Sequence, residues 1–165
     1  MFIDLCYANG NEKEFLEVAK RVATLNMCFL GGKVSFNFNS GKTPKFFDFE
    51  SVIQKNSVCI IQNLKKDRKF NAPMKINHVY IKELKENDCI VGVSFNHALK
   101  NPLNFEKIKF IVKLCKKYKV PVLIGSFARN PYEIRAKQEL LSFSKSLLLD
   151  KEVLENFSNF LAQDI

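Results

Sequence analysis

The sequence predicts an α/β fold, built on a parallel sheet or a barrel, in a single domain that spans residues 1–165. Short apolar runs typical of buried strands alternate along the chain with longer segments that carry helical apolar stripes. The chain has 165 residues, 47% of them hydrophobic and 26% charged, which is enough for one globular domain with its own core. Sixteen phenylalanines and no tryptophan indicate that Phe fills much of that core together with Ile, Leu and Val.

The first half of the chain begins with a strand at residues 1–7. Asn11 is predicted to cap a helix over residues 12–25, because side chains such as Phe15, Ala19 and Val22 recur at helical spacing. Further strands are expected at residues 28–30, 34–38 and 58–61, a helical turn at 49–55, and loops at 40–44 and 64–75.

The second half repeats the order of strand and helix. Strands are expected at residues 78–81 and 89–95. Asn104 is predicted to cap the clearest helix of the chain, and a strand at Val120 follows directly after that helix. A further helix is expected over residues 131–147, and Asp150 is predicted to cap a last one over 151–161. The apolar stripe of the helix that Asn104 opens consists of Phe105, Ile108, Ile111, Val112 and Cys115.

The charge balance predicts a polyanionic partner. Lys and Arg number 26 against 17 Asp and Glu, a formal net charge of +9. Nucleic acid is the first expectation, and an acidic protein or a membrane surface is the second. An odd number of cysteines without a CxxC pair indicates buried thiols in a reducing compartment. We expect no signal peptide and no membrane span, hence a cytoplasmic protein, or a nuclear one if the source is eukaryotic.

Positive charge gathers just beyond the apolar strand at residues 122–124. Arg129, Arg135 and Lys137 follow that strand closely. In parallel α/β folds ligands are bound at this end of the strands, and the planar Arg side chain grips phosphate with two donors. We therefore predict that these three residues bind RNA. The alternative is structural, with Arg135 paired to Glu133, Glu139 or Asp4.

A second group of predicted RNA contacts is less specific. Lys100, Lys113 and Lys117 belong to a lysine-rich segment around the helix that Asn104 opens. A solvated helix face is the alternative for such a row. Ser126 is predicted to contact a phosphate through its hydroxyl, or else a backbone group. The basic and aromatic loop at residues 65–70 either lies along RNA or is a linker.

Several short segments together resemble one known family. Residues 2–5 read Phe-Ile-Asp-Leu, and residues 124–128 read Ile-Gly-Ser-Phe-Ala, where the family usually has Ser-Ser-Ala after its last strand. Residues 131–135 contain a Glu-aliphatic-Arg motif, residues 150–152 resemble the start of the family's final helix, and residues 93–100 resemble the preceding strand-loop unit. This pattern resembles ribonuclease P protein component 3, the thirty-kilodalton subunit family of archaea and eukaryotes.

The resemblance implies a compact TIM-like (β/α) barrel related to the polymerase and histidinol phosphatase (PHP) superfamily. Such barrels usually take about 250 residues, so this chain must lack connecting helices or leave the barrel open. Family members do not catalyse. They bind the ribonuclease P RNA and a second small protein subunit, and the holoenzyme removes the 5′ leader from precursor tRNA, which the chain contacts only indirectly. Mg²⁺ is expected on the RNA component and no cofactor on the chain itself.

The residues that catalysis would need are not found in the expected pattern. Catalytic PHP relatives begin with His-x-His on the first strand, where this chain has Asp4-Leu5-Cys6, and the whole chain holds two histidines, His78 and His97. No Gly-x-Ser-x-Gly elbow surrounds Ser126. We therefore predict no catalytic and no metal-binding residues. The alternatives are a divergent PHP-like metal-dependent phosphoesterase and a basic protein-interaction module.

Overall fold

A computed structural model of the chain describes residues 4–7, 10–22, 27–29, 45–49, 51–61, 78–100, 102–147 and 149. The chain forms two compact units: unit 1 comprises Met1–Thr43 and Leu123–Ile165, and unit 2 comprises Pro44–Val122. The predicted strand at 34–38, the loops at 40–44 and 64–75 and the helix at 151–161 lie outside the described residues.

Unit 1 begins with a strand-helix-strand segment, as the sequence predicts. Strand β1 (Asp4–Cys6) pairs in parallel with strand β2 (Met27–Phe29), with Leu5 opposite Cys28. Helix α1 (Glu12–Arg21) connects them and buries Phe15 and Ala19, which are four residues apart and therefore share one face. Acidic residues in its first turn and basic residues in its last turn stabilise the helix dipole.

The C-terminal part of unit 1 packs against α1. Buried residues of β1, α1 and the segment after β6 form one apolar cluster. The predicted helix at 131–147 is divided into a 3₁₀ turn (Pro131–Glu133) and helix α5 (Lys137–Ser146). The backbone is extended at Ile134, whose side chain is buried. The cluster consists of Cys6, Phe15, Ala19, Ala128 and Ile134.

Unit 2 is built on parallel strands. Every residue of its two central strands is buried. Such strands read as continuous apolar runs, which is why those predicted at 58–61 and 89–95 are confirmed. The sheet order is β3-β4-β5-β6, and the chain leaves unit 2 along β6. Pairing between β3 and β4 and between β4 and β5 is parallel. The strands are β3 (Lys45–Asp48), β4 (Ser57–Ile61) and β5 (Ile90–Ser94), and β6 (Val122–Gly125) begins at the last residue of unit 2 and continues into unit 1.

The helices of unit 2 are α2 (His78–Glu86), α3 (Phe95–Leu99) and α4 (Pro102–Tyr118). The predicted stripe of α4 is confirmed, except that Phe105 is only partly buried. The predicted cap at Asn104 is wrong, because α4 already begins at Pro102, a residue whose fixed φ favours the first helical turn. The Asn104 Nδ2 instead donates to the carbonyl of His97 at 3.3 Å.

Two further predicted elements of unit 2 are wrong. Residues 78–81 form the start of α2, which buries Ile81 and Leu84 at a helical spacing of three. A short apolar run does not distinguish a strand from a buried helix, and here the helical spacing continues beyond it. Residues 51–55 contain no helical turn, and Phe49 instead extends the pairing of β3 by donating its N–H to the carbonyl of Ile60 at 2.8 Å. The α/β class with parallel strands is confirmed.

Candidate nucleic-acid interface

A buried carboxylate in unit 1 connects β1 to the segment that follows β6. Asp4 is fully buried. Its Oδ1 accepts hydrogen bonds from the backbone N–H of Leu5 at 2.9 Å and of Ser126 at 2.6 Å, and its Oδ2 accepts one from the Cys6 thiol at 3.8 Å. Although Asp4 and Ser126 are far apart in sequence, this carboxylate fixes the position at which the chain leaves β6.

The protonation of Asp4 is set by two opposing effects. Burial in a low-dielectric environment raises its pKa to about 6, although hydrogen bonds from Ser126, Leu5 and Cys6 lower it. The same burial, followed by the neighbouring Asp4 carboxylate, raises the pKa of the Cys6 thiol well above its usual range. Cys6 is therefore a neutral thiol that donates to Asp4, and not a nucleophile.

Ser126 is part of the same buried network. Its side chain is fully buried, its Oγ accepts from the N–H of Ala128 at 3.2 Å, and it lies 3.5 Å from the Cys6 Sγ. A contact between the Ser126 hydroxyl and a phosphate stays a prediction, and it would require this hydroxyl to leave its buried position. In the structure the hydroxyl bonds the backbone, which is the alternative that the sequence left open.

Gly125 occupies the position where the family pattern has serine. A Cβ placed on Gly125 would lie 3.2 Å from the Asp4 Oδ1 and 3.3 Å from Cε2 of Phe127. Both neighbours are buried and held in place, so there is little room for a side chain. The glycine at position 125 therefore leaves space for the ring of Phe127, two residues later.

Phe127 turns the chain sharply at the end of β6. Its φ of 49° lies in the left-handed region, which costs a non-glycine residue about 1–2 kcal/mol, and its ring is buried. After this turn Ala128 forms a parallel bridge to Cys6, and the carbonyl of Ala128 accepts from the N–H of Tyr7 at 2.7 Å. The next residue, Arg129, is the first one exposed.

Arg129 is held by its backbone while its side chain faces solvent. Its N–H donates to the Glu133 Oε2 at 2.8 Å. The guanidinium carbon lies 5.7 Å from the centroid of the Tyr7 ring, within the range of a cation–π contact. This arrangement orients the guanidinium while leaving its exposed side chain accessible to a phosphate.

The 3₁₀ turn uses its own first amides. Asn130 Oδ1 accepts from the N–H of Tyr132 at 3.1 Å, and the carbonyl of Asn130 accepts from the N–H of Glu133 at 3.1 Å. Both amides thus close the turn. Pro131 is buried, whereas the side chain of Tyr132 is 82% exposed.

Arg135 lies on the short stretch that joins this turn to α5, and Lys137 is the first residue of α5. The Arg135 Nη1 is 4.0 Å from the Glu139 Oε1, and the two side chains are 32% and 50% exposed. An ion pair at this distance and exposure contributes little to stability. The Glu139 carboxylate also accepts from the N–H of Ala136 at 2.9 Å and so stabilises the start of α5. Lys137 is exposed.

The predicted lysines of unit 2 are all on its surface. Lys100 follows α3, whereas Lys113 and Lys117 lie on α4, and all three are exposed. The Lys117 Nζ is 5.7 Å from the centroid of the Tyr118 ring. The structure therefore divides the predicted RNA-binding residues between the units. Arg129, Arg135, Lys137 and the buried Ser126 belong to unit 1, and the three lysines belong to unit 2. Their contact with RNA stays a prediction.

The positions of two aromatic residues near Arg129 and Arg135 were missed in the sequence. Tyr7 lies under Arg129, and Tyr132 projects from the turn between the two arginines. The Asn130-Pro131 pair could have indicated the exposure of Tyr132, because such a pair predicts the start of a turn and Tyr132 follows it directly. The contact between Tyr7 and Arg129 had no such signal, since it depends on the pairing of Cys6 with Ala128.

Among the residues that the structure describes, no three His, Cys, Asp or Glu side chains are grouped closely enough to hold a metal ion. No helix among the described segments combines the length and the apolar character that crossing a membrane requires.

Comparison with known proteins supports the resemblance that the motifs indicate. No protein-family model matches the chain. Three curated proteins match it, each named Ribonuclease P protein component 3. The one from Methanococcus maripaludis strain S2 is 28% identical over 119 residues, which are 67% of this chain and 50% of that protein. Those from strains C6 and C7 are each 27% identical over the same shares. The chain thus spans about half the length of the curated relatives it matches.

Proposed function

We propose that this chain is a non-catalytic protein subunit of ribonuclease P, which binds the RNA component and a second small protein subunit. Its similarity to three proteins named as ribonuclease P components supports this role. The structural observation that carries the proposal is the basic loop after β6, defined here as residues 129–137, where two arginines and a lysine flank an exposed tyrosine.

The chemistry of the basic loop suits an RNA backbone. Arg129 and Arg135 each present a planar set of donors that matches phosphate oxygens, and Lys137 adds a point charge. The Arg129 guanidinium carbon lies 5.7 Å from the centroid of the Tyr7 ring, and the Arg135 Nη1 lies 4.0 Å from the Glu139 Oε1. A surface ion pair of the second kind contributes at most about 1 kcal/mol.

For the fold, we propose a compact (β/α) barrel related to the PHP superfamily, complete or open. Parallel strands occur in both units, and among the described elements β1, β4, β5 and β6 each precede a helix or a 3₁₀ turn along the chain. In such a barrel the basic loop occupies the C-terminal end of β6, where barrels of this class bind their ligands.

The surface proposed for the second protein subunit lies on α3 and α4 of unit 2. Leu99, Leu103 and Phe110 are 60%, 61% and 45% exposed. Leu103 and Phe110 are seven residues apart on α4 and therefore share a face, opposite the buried stripe. Large exposed apolar groups of this kind are typical of protein interfaces. In this role the RNA carries the catalytic Mg²⁺, precursor tRNA is contacted indirectly, and the complex acts in the cytoplasm, or in the nucleus of a eukaryote.

The test is to purify the tagged chain from its own cells and sequence the RNA that accompanies it. The proposal expects one abundant structured RNA, together with a small protein, and loss of the RNA on nuclease treatment. Affinity of the isolated chain for that RNA should fall steeply as salt increases, because Lys and Arg contacts release counterions from phosphates. Recovery of the chain without RNA, or affinity that barely changes with salt, would contradict the proposal. An acidic protein recovered in its place would favour the interaction-module alternative.

A further inference from the structure

The exposed ring of Tyr132 is unusual for its surroundings. Its side chain is 82% exposed, although the residues on either side of it in the turn are anchored. Pro131 is buried before it, and Ile134 is buried after it in the cluster that includes Phe15 of α1. The ring therefore projects from a part of unit 1 that is otherwise packed.

The turn that carries Tyr132 is held by several hydrogen bonds. The Asn130 side chain accepts from the Tyr132 N–H, and the carbonyl of Pro131 accepts from the N–H of Ile134 at 3.3 Å. The Glu133 carboxylate closes the loop at Arg129. A backbone fixed in this way presents the aromatic ring with little conformational entropy left to lose on binding.

Both chemistries of single-stranded nucleic-acid binding are present on this one loop. Arg129 and Arg135 lie three residues before and three residues after Tyr132, and Lys137 follows. Proteins that bind unpaired strands combine positive charge for the backbone with an exposed aromatic ring on which a base stacks. A duplex offers only its phosphates to such a loop, because its bases are already stacked on one another.

From this arrangement we infer that Tyr132 is a stacking platform for an unpaired RNA base, whose flanking phosphates are bound by Arg129 and Arg135. The inference rests on the proposed RNA-binding function and adds the class of RNA recognised, a single-stranded or bulged segment and not a regular helix. The tyrosine hydroxyl is not required, because it is the face of the ring that contacts the base.

The experiment measures the affinity of the full chain for two probes, a short single-stranded uridine oligonucleotide and an RNA duplex of equal length. Tyr132→Ala should weaken binding of the single strand by about five- to a hundredfold and leave the duplex nearly unchanged. Tyr132→Phe should bind as the parent chain does, whereas Tyr132→Leu should resemble the alanine variant. Val52→Ala, which removes an apolar side chain that is 85% exposed, is the matched control and should change neither affinity.

A strand of abasic ribose phosphates separates stacking from charge. The Tyr132→Ala effect should vanish on this strand, while the effect of Arg129→Ala should persist and diminish with salt. Equal affinity of parent and Tyr132→Ala for the uridine strand, with both arginine variants weakened, would overturn the stacking inference and leave the proposed function standing. If neither the arginine variants nor the parent chain shows salt-sensitive RNA binding, the proposed function itself is wrong. Thermal melting of each variant confirms that it is folded.

Discussion

Asp4 provides a sharp test of the buried network beneath the basic loop. Its folded pKa of about 6 exceeds the ordinary value of 3.8 because the carboxyl is desolvated. Below pH 3.8 the group is protonated in both the folded and the unfolded chain. As pH rises toward 6, the unfolded chain releases this proton at a lower pH than the folded chain does. The contribution of Asp4 to the free energy of unfolding therefore decreases. Above pH 6 the contribution is fully lost.

The size of this pH effect follows from the two pKa values. Their difference, from 3.8 to about 6, at about 1.4 kcal/mol per pKa unit, corresponds to a decrease of about 3 kcal/mol. Asp4→Asn removes the titration and keeps an oxygen that accepts from Leu5 and Ser126. The stability of Asp4→Asn relative to the parent chain should therefore increase by about 3 kcal/mol between about pH 3 and about pH 7. Asp4→Ala also removes the titration, but leaves two buried N–H groups unsatisfied at a cost of about 1–3 kcal/mol each.

The assay is urea denaturation followed by circular dichroism across that pH range, with ΔG from linear extrapolation. Glu17→Gln, which neutralises an exposed carboxylate of α1 in the same unit, controls for the loss of one negative charge. A constant difference between Asp4→Asn and the parent chain at all pH values would refute the reasoning. A difference that decreases toward neutral pH would mean that hydrogen bonding, and not burial, dominates the pKa of Asp4.

Three further predictions concern the loop, the strand end and the partner surface. Arg135→Ala should weaken RNA binding similarly across substrates and shift the melting temperature little, since the 4.0 Å pair of Arg135 with Glu139 is worth at most about 1 kcal/mol. Arg135→Lys should restore part of the affinity. A large shift of the melting temperature with unchanged RNA affinity would remove Arg135 from the interface. Gly125→Ala should destabilise the chain by about 1–3 kcal/mol in urea denaturation, because the added Cβ meets the Asp4 carboxylate at 3.2 Å, and a neutral effect would show that Phe127 yields freely. Leu103→Asp should abolish co-purification of the second protein subunit while Val52→Asp does not, and equal recovery with both would exclude this face of α4.

The elements that the sequence predicts well are those with a continuous pattern. The central strands of unit 2 are buried at every residue, and α4 carries a long apolar stripe, so local composition was sufficient. Helix α2 was mistaken for a strand because its apolar residues 79–81 are consecutive and its helical spacing appears only with Leu84. Strand β3 was missed because its pairing with β4 is a long-range property that no local period reveals.

In the candidate site too, features with a local sequence pattern were predicted and features that depend on long-range contacts were not. The basic residues of the loop were visible in the sequence, because charge beyond a strand end is a local pattern. The position of Ser126 was not, because its burial depends on a hydrogen bond to Asp4, which lies near the other end of the chain. Tyr132 was visible as a residue but not as an exposed one, since its exposure results from the burial of Pro131 and Ile134 on either side.

The buried network and the exposed loop are mechanically connected, and this gives the unusual features near Gly125 a common reason. Asp4 holds the Ser126 amide, Phe127 takes a left-handed turn, and Ala128 pairs with β1, so three successive residues are fixed before Arg129 reaches solvent. Two features of this segment cost stability, the desolvated carboxylate of Asp4 and the left-handed φ of Phe127. A loop that served only to connect β6 to α5 would need neither of them. Their presence is what a loop requires if its arginines and tyrosine must already be in position when RNA arrives, because preorganised groups lose less entropy on binding.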